Sequence, residues 1–162
     1  MIRPSTDLNS HVTVWGAGAN ADSSGNPKIV TAGATEDGVK VTGETIDLGQ
    51  GLTRPLSGTL CITGVANLAA TKTLTFAAEL QESSDGSSWD TAESITLASS
   101  GLVLTGATTA GATFDVNAAV KLKGRKQYIR FNVTPTLSNT ATDTATWAAT
   151  FVGVGSQDIP TA

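Results

Sequence analysis

The stretch that decides the fold runs from residue 72 to residue 90 and reads KTLTFAAELQESSDGSSWD. Its apolar side chains fall on alternate positions, at Leu74, Phe76, Ala78 and Leu80. A period of two is typical of a strand with one buried face and one solvated face. The run SSDGSS that follows contains residues that bond their own backbone or tolerate positive φ, so it predicts a tight turn. Just beyond this turn, Trp89 is expected to cover the open end of the core.

Two later stretches repeat this alternation. Residues 127–134 read QYIRFNVT, and residues 144–155 place large apolar side chains at the same spacing. Together the three strands predict a core that contains Leu74, Phe76, Leu80, Ile129, Phe131, Val133, Trp147 and Phe151.

Shorter strand candidates lie between Gly, Asp-Gly and Pro turns. They are residues 11–15, 28–31, 39–41, 44–48, 58–64, 93–97, 101–104, 112–116 and 120–122. About eight to twelve short antiparallel strands favour an all-β sandwich, either a jelly roll or a related Greek key. No stretch has convincing helical spacing.

The sequence divides into two regions. Residues 1–36 are polar or rich in Gly and Ser, and they predict an N-terminal arm and a loop, although an extra strand there stays open. Residues 37–162 are predicted to form the β-sandwich domain.

The charged residues are few and unevenly placed. The net charge of -4 argues against sequence-independent nucleic-acid binding, which needs a basic surface. Basic residues gather at 121–130 and acidic ones at 79–93. They are either two solvated loop ends or patches that meet across a subunit or partner interface. The candidate interface residues are Arg3, Lys121, Lys123, Arg125, Lys126, Arg130, Glu79, Glu82, Asp85 and Asp90.

Catalytic and metal sites need residue types that this chain hardly offers. It has one His and one Cys, so we expect no catalytic residue, no cofactor and no metal. A calcium site at the acidic cluster is a weaker alternative to an ordinary turn. Cys61 is expected to act as a small buried hydrophobe. No apolar run approaches the roughly 20 residues of a membrane span, so no membrane partner is expected.

One resemblance adds a function. The order TIDLGQG, LCITGV, LTFAAELQESSDGSSWDTAESITL, KGRKQYIRFNVTPT and a last strand ending in GVGSQ resembles the capsid cement or head decoration proteins of tailed bacteriophages. The recurring parts are the LQxSxDGxxW hairpin and the xYIRFNV strand. The resemblance implies a non-enzymatic jelly-roll protein, often a homotrimer, made in the host cytoplasm. It would bind the outer surface of the virion and clamp neighbouring subunits of the major capsid protein.

An alternative function is a carbohydrate- or receptor-binding module of a tail fibre or adhesin. The segment ELQESSDGSSW also resembles part of discoidin-type domains, and Trp89 and Tyr128 would then stack on sugar rings. The expected lack of a signal peptide and of a disulfide argues against that family.

Overall fold

The computed structural model describes residues 12–15, 27–49, 54–97, 102–105, 111–138 and 142–156. These residues form strands and turns without any helix, and consequently none of them forms a helix that could cross a membrane. The strands are Val12–Trp15 (β1), Lys28–Thr31 (β2), Val41–Thr42 (β3), Ile46–Asp47 (β4), Pro55–Asn67 (β5), Thr73–Ser83 (β6), Glu93–Ile95 (β7), Leu102–Thr105 (β8), Ala112–Lys121 (β9), Tyr128–Leu137 (β10) and Thr144–Ser156 (β11).

The strands form two antiparallel sheets. Sheet A has the order β1-β11-β5-β9, with β2 also pairing with β11. Sheet B has the order β3-β10-β6-β7, with β4 pairing with β10 and β8 with β6. Early strands pair with late strands in a nested series, from β1 and β2 with β11 inward to β6 with β7 and β8. Nested pairing of this kind is that of a long hairpin rolled into two sheets, so the predicted jelly-roll sandwich is confirmed.

The core lies between the sheets and is built from alternate residues of the long strands. Phe131 of sheet B and Phe151 of sheet A meet with ring centroids 4.8 Å apart, and Phe76 meets Trp147 edge-on at 5.3 Å. All eight residues predicted for the core are buried. The alternation of apolar side chains was therefore sufficient to identify them.

The structure corrects several predicted strand boundaries. Strand β5 has 13 residues and extends beyond the predicted 58–64 at both ends. The two strands predicted at 112–116 and 120–122 are one strand, β9, because Ala118 continues the buried positions between Val116 and Val120. The strands predicted at 28–31 and 11–15 are confirmed as β2 and, over residues 12–15, as β1, and both pair with β11. Residues 1–11 and 16–26 lie outside the described residues.

Strands β6 and β10 form the longest ladder of sheet B. They pair without interruption from Tyr128 opposite Ser83 to Leu137 opposite Leu74. Pro135, which has no N–H to donate, lies in β10 beyond the residues that pair with β3. The ladder therefore brings together the two stretches that dominate the sequence pattern.

Candidate functional surface

The turn after β6 is held by its own polar side chains. Ser83 is fully buried, and its hydroxyl oxygen accepts hydrogen bonds from the backbone N–H of Asp85 and of Gly86. The carboxylate of Asp85 accepts bonds of 2.8 Å and 2.7 Å from the N–H groups of Ser87 and Ser88. These bonds hold the pKa of Asp85 well below its usual range, because they favour the ionised carboxylate. Gly86 adopts a positive φ of 74°.

Trp89 lies on the outer face of sheet B, so the prediction that it covers the core is wrong. The guanidinium carbon of Arg130 is 4.2 Å from the centre of its ring. Arg130 also donates a 2.9 Å hydrogen bond to Oε1 of Gln81, its neighbour across the ladder. Because Arg130 points away from the core, the ring that it holds lies outside the sandwich. Trp89 is partly buried and does not belong to the core cluster.

The two recurring motifs of the sequence therefore form one structural unit. Gln81, Ser83, Asp85, Gly86 and Trp89 belong to the first motif, and Arg130 and Asn132 belong to the second. Besides Arg130, Asn132 also donates to Oε1 of Gln81, at 3.1 Å. The ring of Tyr128 lies against Gly86, since a Cβ on that glycine would be 3.6 Å from it. Each residue that the motif LQxSxDGxxW specifies thus has a structural role, including Leu80, which is buried in the core.

Arg125 is the centre of a charged network beside this unit. Its guanidinium contacts Glu93 at 2.5 Å and Glu82 at 3.4 Å. The hydrogen bond from Arg125 lowers the pKa of the Glu93 carboxyl, and the same bond raises the pKa of Arg125. Lys126 binds Asp90 at 2.8 Å, which raises the pKa of the lysine. Lys126 also donates its backbone N–H to Glu82.

The acidic and basic clusters of the sequence thus meet within one chain. Glu79 belongs to the same pattern, with Lys40 as its partner. Of the ten candidates, Glu79, Glu82, Asp90, Arg125 and Lys126 are thus paired within the chain. Lys121 and Lys123 are exposed and have no ion-pair partner among the described residues. Arg3 lies outside the described residues, and an interface role for the ten candidates stays a prediction.

The outer face of sheet A has a different character, and we call it the Thr face. Its residues alternate with the buried ones on β2, β5, β9 and β11, and most are short and uncharged. They include Thr31, Thr59, Cys61, Thr63, Val65, Asn117, Ala119, Thr146, Ala148, Thr150 and Val152. Ile29 and Val65 flank Thr146 from either side and are 63% and 42% exposed. The charged residues described on this face are Asp115 and Lys121, both on the edge strand β9.

The described residues contain no group of three or more His, Cys, Asp or Glu that could hold a metal ion. Asp85, which a calcium site would have used, bonds its own turn. Cys61 is partly buried on the Thr face rather than in the core. Burial, followed by the nearby charge of Asp115, raises the pKa of its thiol, so it is a poor nucleophile at neutral pH.

Several residues of this region were missed in the sequence. Arg54 donates two 2.6 Å hydrogen bonds from Nη2 to the carbonyls of Arg125 and Lys126 and so holds the turn that carries the charged network. Arg54 is distant in sequence from that turn, and no local pattern marks the contact. Gln81 and Asn132 could have been found, because both occupy outward positions of adjacent long strands.

The comparisons with known proteins concern the fold. No protein-family model matches the chain, and no curated protein matches it significantly. Among solved structures, the VP2 subviral particle of infectious bursal disease virus is similar, with a TM-score of 0.50 and 11% identity over 90% of this chain and 32% of that chain. The Gx and Gt strains of the same virus give TM-scores of 0.47 and 0.48, at 12% and 13% identity, over 87% and 92% of this chain and 32% and 34% of theirs.

This chain therefore spans about a third of the length of the solved chains that it matches. At such low identity, the VP2 subviral particle supports the jelly-roll fold and nothing beyond it.

Proposed function

We propose that the chain is a structural protein of a tailed-phage virion that binds the outer surface of the assembled capsid. By contacting neighbouring subunits of the major capsid protein at once, it stabilises the shell. A ligand that binds only the assembled state shifts the equilibrium toward that state by mass action. No chemical reaction is needed for this role, and the protein acts as a clamp rather than as an enzyme.

One observation carries this proposal. The two motifs that resemble decoration proteins lie on adjacent strands of a jelly roll and hold each other, through Trp89 on Arg130 and through Gln81 with Asn132. A chance resemblance in two separate segments would not require them to meet. The shared pattern is therefore one three-dimensional unit that supports the long ladder of sheet B.

The Thr face is the surface that we assign to the capsid contact. Its short side chains lose little rotamer freedom when they are covered, and they form a broad surface with few charges to desolvate. Apolar side chains at Ile29 and Val65 add exposed area at one end. The outer face of sheet B, in contrast, carries charged groups that already bind each other.

The first experiment compares heads with free subunits. The purified chain should co-sediment with expanded heads of the phage that encodes it and raise their thermal midpoint. It should bind unassembled major capsid protein much more weakly. Equal binding to free subunits and to heads, or heads whose stability does not change, would contradict the clamp.

The second experiment locates the contact. Thr146→Lys introduces a charge between Ile29 and Val65, and burying an uncompensated charge costs several kcal/mol, so retention on heads should fall by at least about tenfold. Thr136→Lys is the matched control, because Thr136 is exposed on the outer face of sheet B. Equal loss in both variants would exclude the Thr face as the contact.

A homotrimer on the capsid also belongs to the proposal. Density of three copies at three-fold or quasi-three-fold positions on the head is the expected result. Isolated copies on the head would show that the clamp acts as a monomer.

The carbohydrate-binding alternative has no specific contact in its favour. One face of Trp89 is covered by Arg130, and Tyr128 lies on Gly86. Stacking on a sugar needs an aromatic face that is open to the ligand. A glycan array with the purified chain tests this alternative directly.

A further inference from the structure

Strand β9 is the last strand of sheet A, and no described strand pairs with its outer edge. It pairs with β5 without interruption from Ser57 opposite Lys121 to Ala66 opposite Ala112, so no bulge interrupts the edge. The N–H of Leu122 donates to the carbonyl of Leu56, in the same register. Even-numbered residues of β9 therefore point their backbone groups at β5, and odd-numbered ones point theirs away, because the two directions alternate along an antiparallel pair.

Within the part of the chain that the structure describes, the outward backbone groups of β9 have almost no partners. For Asp115, Asn117 and Ala119, the described residues provide none, while the carbonyl of Lys121 accepts one 3.3 Å bond from Nε of Arg125. Proteins usually protect such an edge with proline, with a bulge or with a covering segment. Strand β9 contains no proline and keeps one register throughout its 10 residues.

The charges on this edge are complementary to a second copy of themselves. In an antiparallel pair of two β9 strands centred on Ala118, Asp115 of one copy lies opposite Lys121 of the other, and Asn117 lies opposite Ala119. In all four residues the backbone groups point away from β5 and the side chains lie on the outer face of sheet A, which is the arrangement that this pairing requires. The twofold symmetry repeats each contact, which gives two Asp–Lys pairs and about eight backbone hydrogen bonds.

A cleft on the same edge supports the pairing. It has a volume of about 250 Å³ and opens between β7 and β9, where Leu80, Ile95 and Val120 line it. A twofold axis perpendicular to the sheet keeps the two sandwiches in line, and Val120 of one copy then lies opposite Val116 of the other, so the cleft of each copy lies beside the middle of the partner's β9 strand. Of these three side chains only Ile95 is not already buried, and association would cover it further.

We propose that two copies of this chain associate edge to edge through β9, in the register that pairs Asp115 with Lys121. Sheet A then continues from one copy into the next. The contact does not depend on capsid binding. Its backbone hydrogen bonds lie at the edge of the sheet, and the only part of the Thr face that it uses is the side chains of β9.

The test first reverses the charge of Asp115 or of Lys121 and then exchanges the two charges in a double variant. The mass of the full chain is measured by sedimentation over a range of concentrations. Asp115→Lys and Lys121→Asp each place like charges opposite each other, and the twofold symmetry repeats this repulsion at both 115–121 pairs. Each variant should therefore weaken the association on the order of tenfold. The double variant Asp115→Lys/Lys121→Asp should restore it to about the wild-type level. Lys123→Asp changes the net charge as much as Lys121→Asp does, but it lies outside the paired residues and should have little effect.

A second variant tests the backbone ladder without changing any charge. Asn117→Pro removes an N–H that points at the open edge and leaves the bonds to β5 intact, so the chain should fold and the mass should fall by half. Val116→Pro removes a bond to β5 instead and should destabilise the fold.

Three results would overturn the inference. They are a wild-type mass that never doubles, a double swap no better than the single reversals, and a folded Asn117→Pro variant that still associates. A chain that stays single and yet binds heads would refute this contact and leave the clamp in place.

Discussion

The contact between Trp89 and Arg130 can be measured with a double-mutant cycle. The guanidinium carbon of Arg130 is 4.2 Å from the ring centre, and both side chains are partly buried. A cation–π contact is worth about 0.5–1 kcal/mol at exposed sites and about 2 kcal/mol when desolvated. We therefore expect a coupling free energy of about 1 kcal/mol between Trp89→Ala and Arg130→Ala. The whole cost of Trp89→Ala should be about 2 kcal/mol, because packing of the ring against its other neighbours is lost too.

Denaturant unfolding followed by far-ultraviolet circular dichroism gives the four free energies. Fluorescence is less suitable, because the substitution removes one of the three Trp residues of the chain. Trp89→Phe keeps an aromatic face and serves as the control, with most of the coupling retained. If Trp89 instead covered the core, its loss would cost about 3–5 kcal/mol whatever residue stood at position 130. A coupling below about 0.3 kcal/mol together with so large a cost would refute the contact described here.

Two further predictions concern the turn and the centre of sheet A. Gly64→Ala should cost about 3 kcal/mol in denaturant unfolding, because its Cβ would be 2.1 Å from the carbonyl oxygen of Thr146. Gly38→Ala, which has open space at a φ of 73°, should cost only about 1–2 kcal/mol, and an equal loss in both would contradict the crowding argument. Asp85→Asn should destabilise the protein at pH 7 but much less at low pH. The lowered pKa of Asp85 contributes stability above its ordinary value of 3.8, and that contribution is lost as the pH falls further. A difference in stability that does not decrease between pH 7 and pH 2 would show that the carboxylate charge is not the cause.

The buried side of the fold could be read from the sequence because it depends on a local rule. Alternation alone places Ile129, Phe131 and Val133 on one face, and the other side of β10 must then face solvent. Residues such as Ala118 carry too little apolar surface to mark a strand by themselves, and for this reason β9 was predicted as two pieces.

The outer contacts could not be read in the same way, because they depend on which strands are neighbours. Trp89 follows the turn, and a large ring there can lie over the core or on the outer face of sheet B. Trp89 lies on the outer face because its ring packs against Arg130, and the position of Arg130 opposite Gln81 is fixed only by the pairing of β6 with β10. The contacts between the charged clusters could not be read from the sequence either. Their complementarity was visible in the sequence, but the distance that joins Arg125 to Glu82 was set by the fold.

The nested pairing of the strands also determines where the chain enters and leaves the sandwich. Val12 of the first described strand lies opposite Val154 of the last, so the two passages of the backbone are one strand spacing apart. A unit of this kind can be spliced into a surface loop of a host protein with both junctions at a single point, and the loop need not open to receive it. The same geometry suits display. A peptide fused ahead of Val12 and another fused behind Val154 would start from adjacent positions at one edge of sheet A, which makes this edge a natural place to present two-part epitopes.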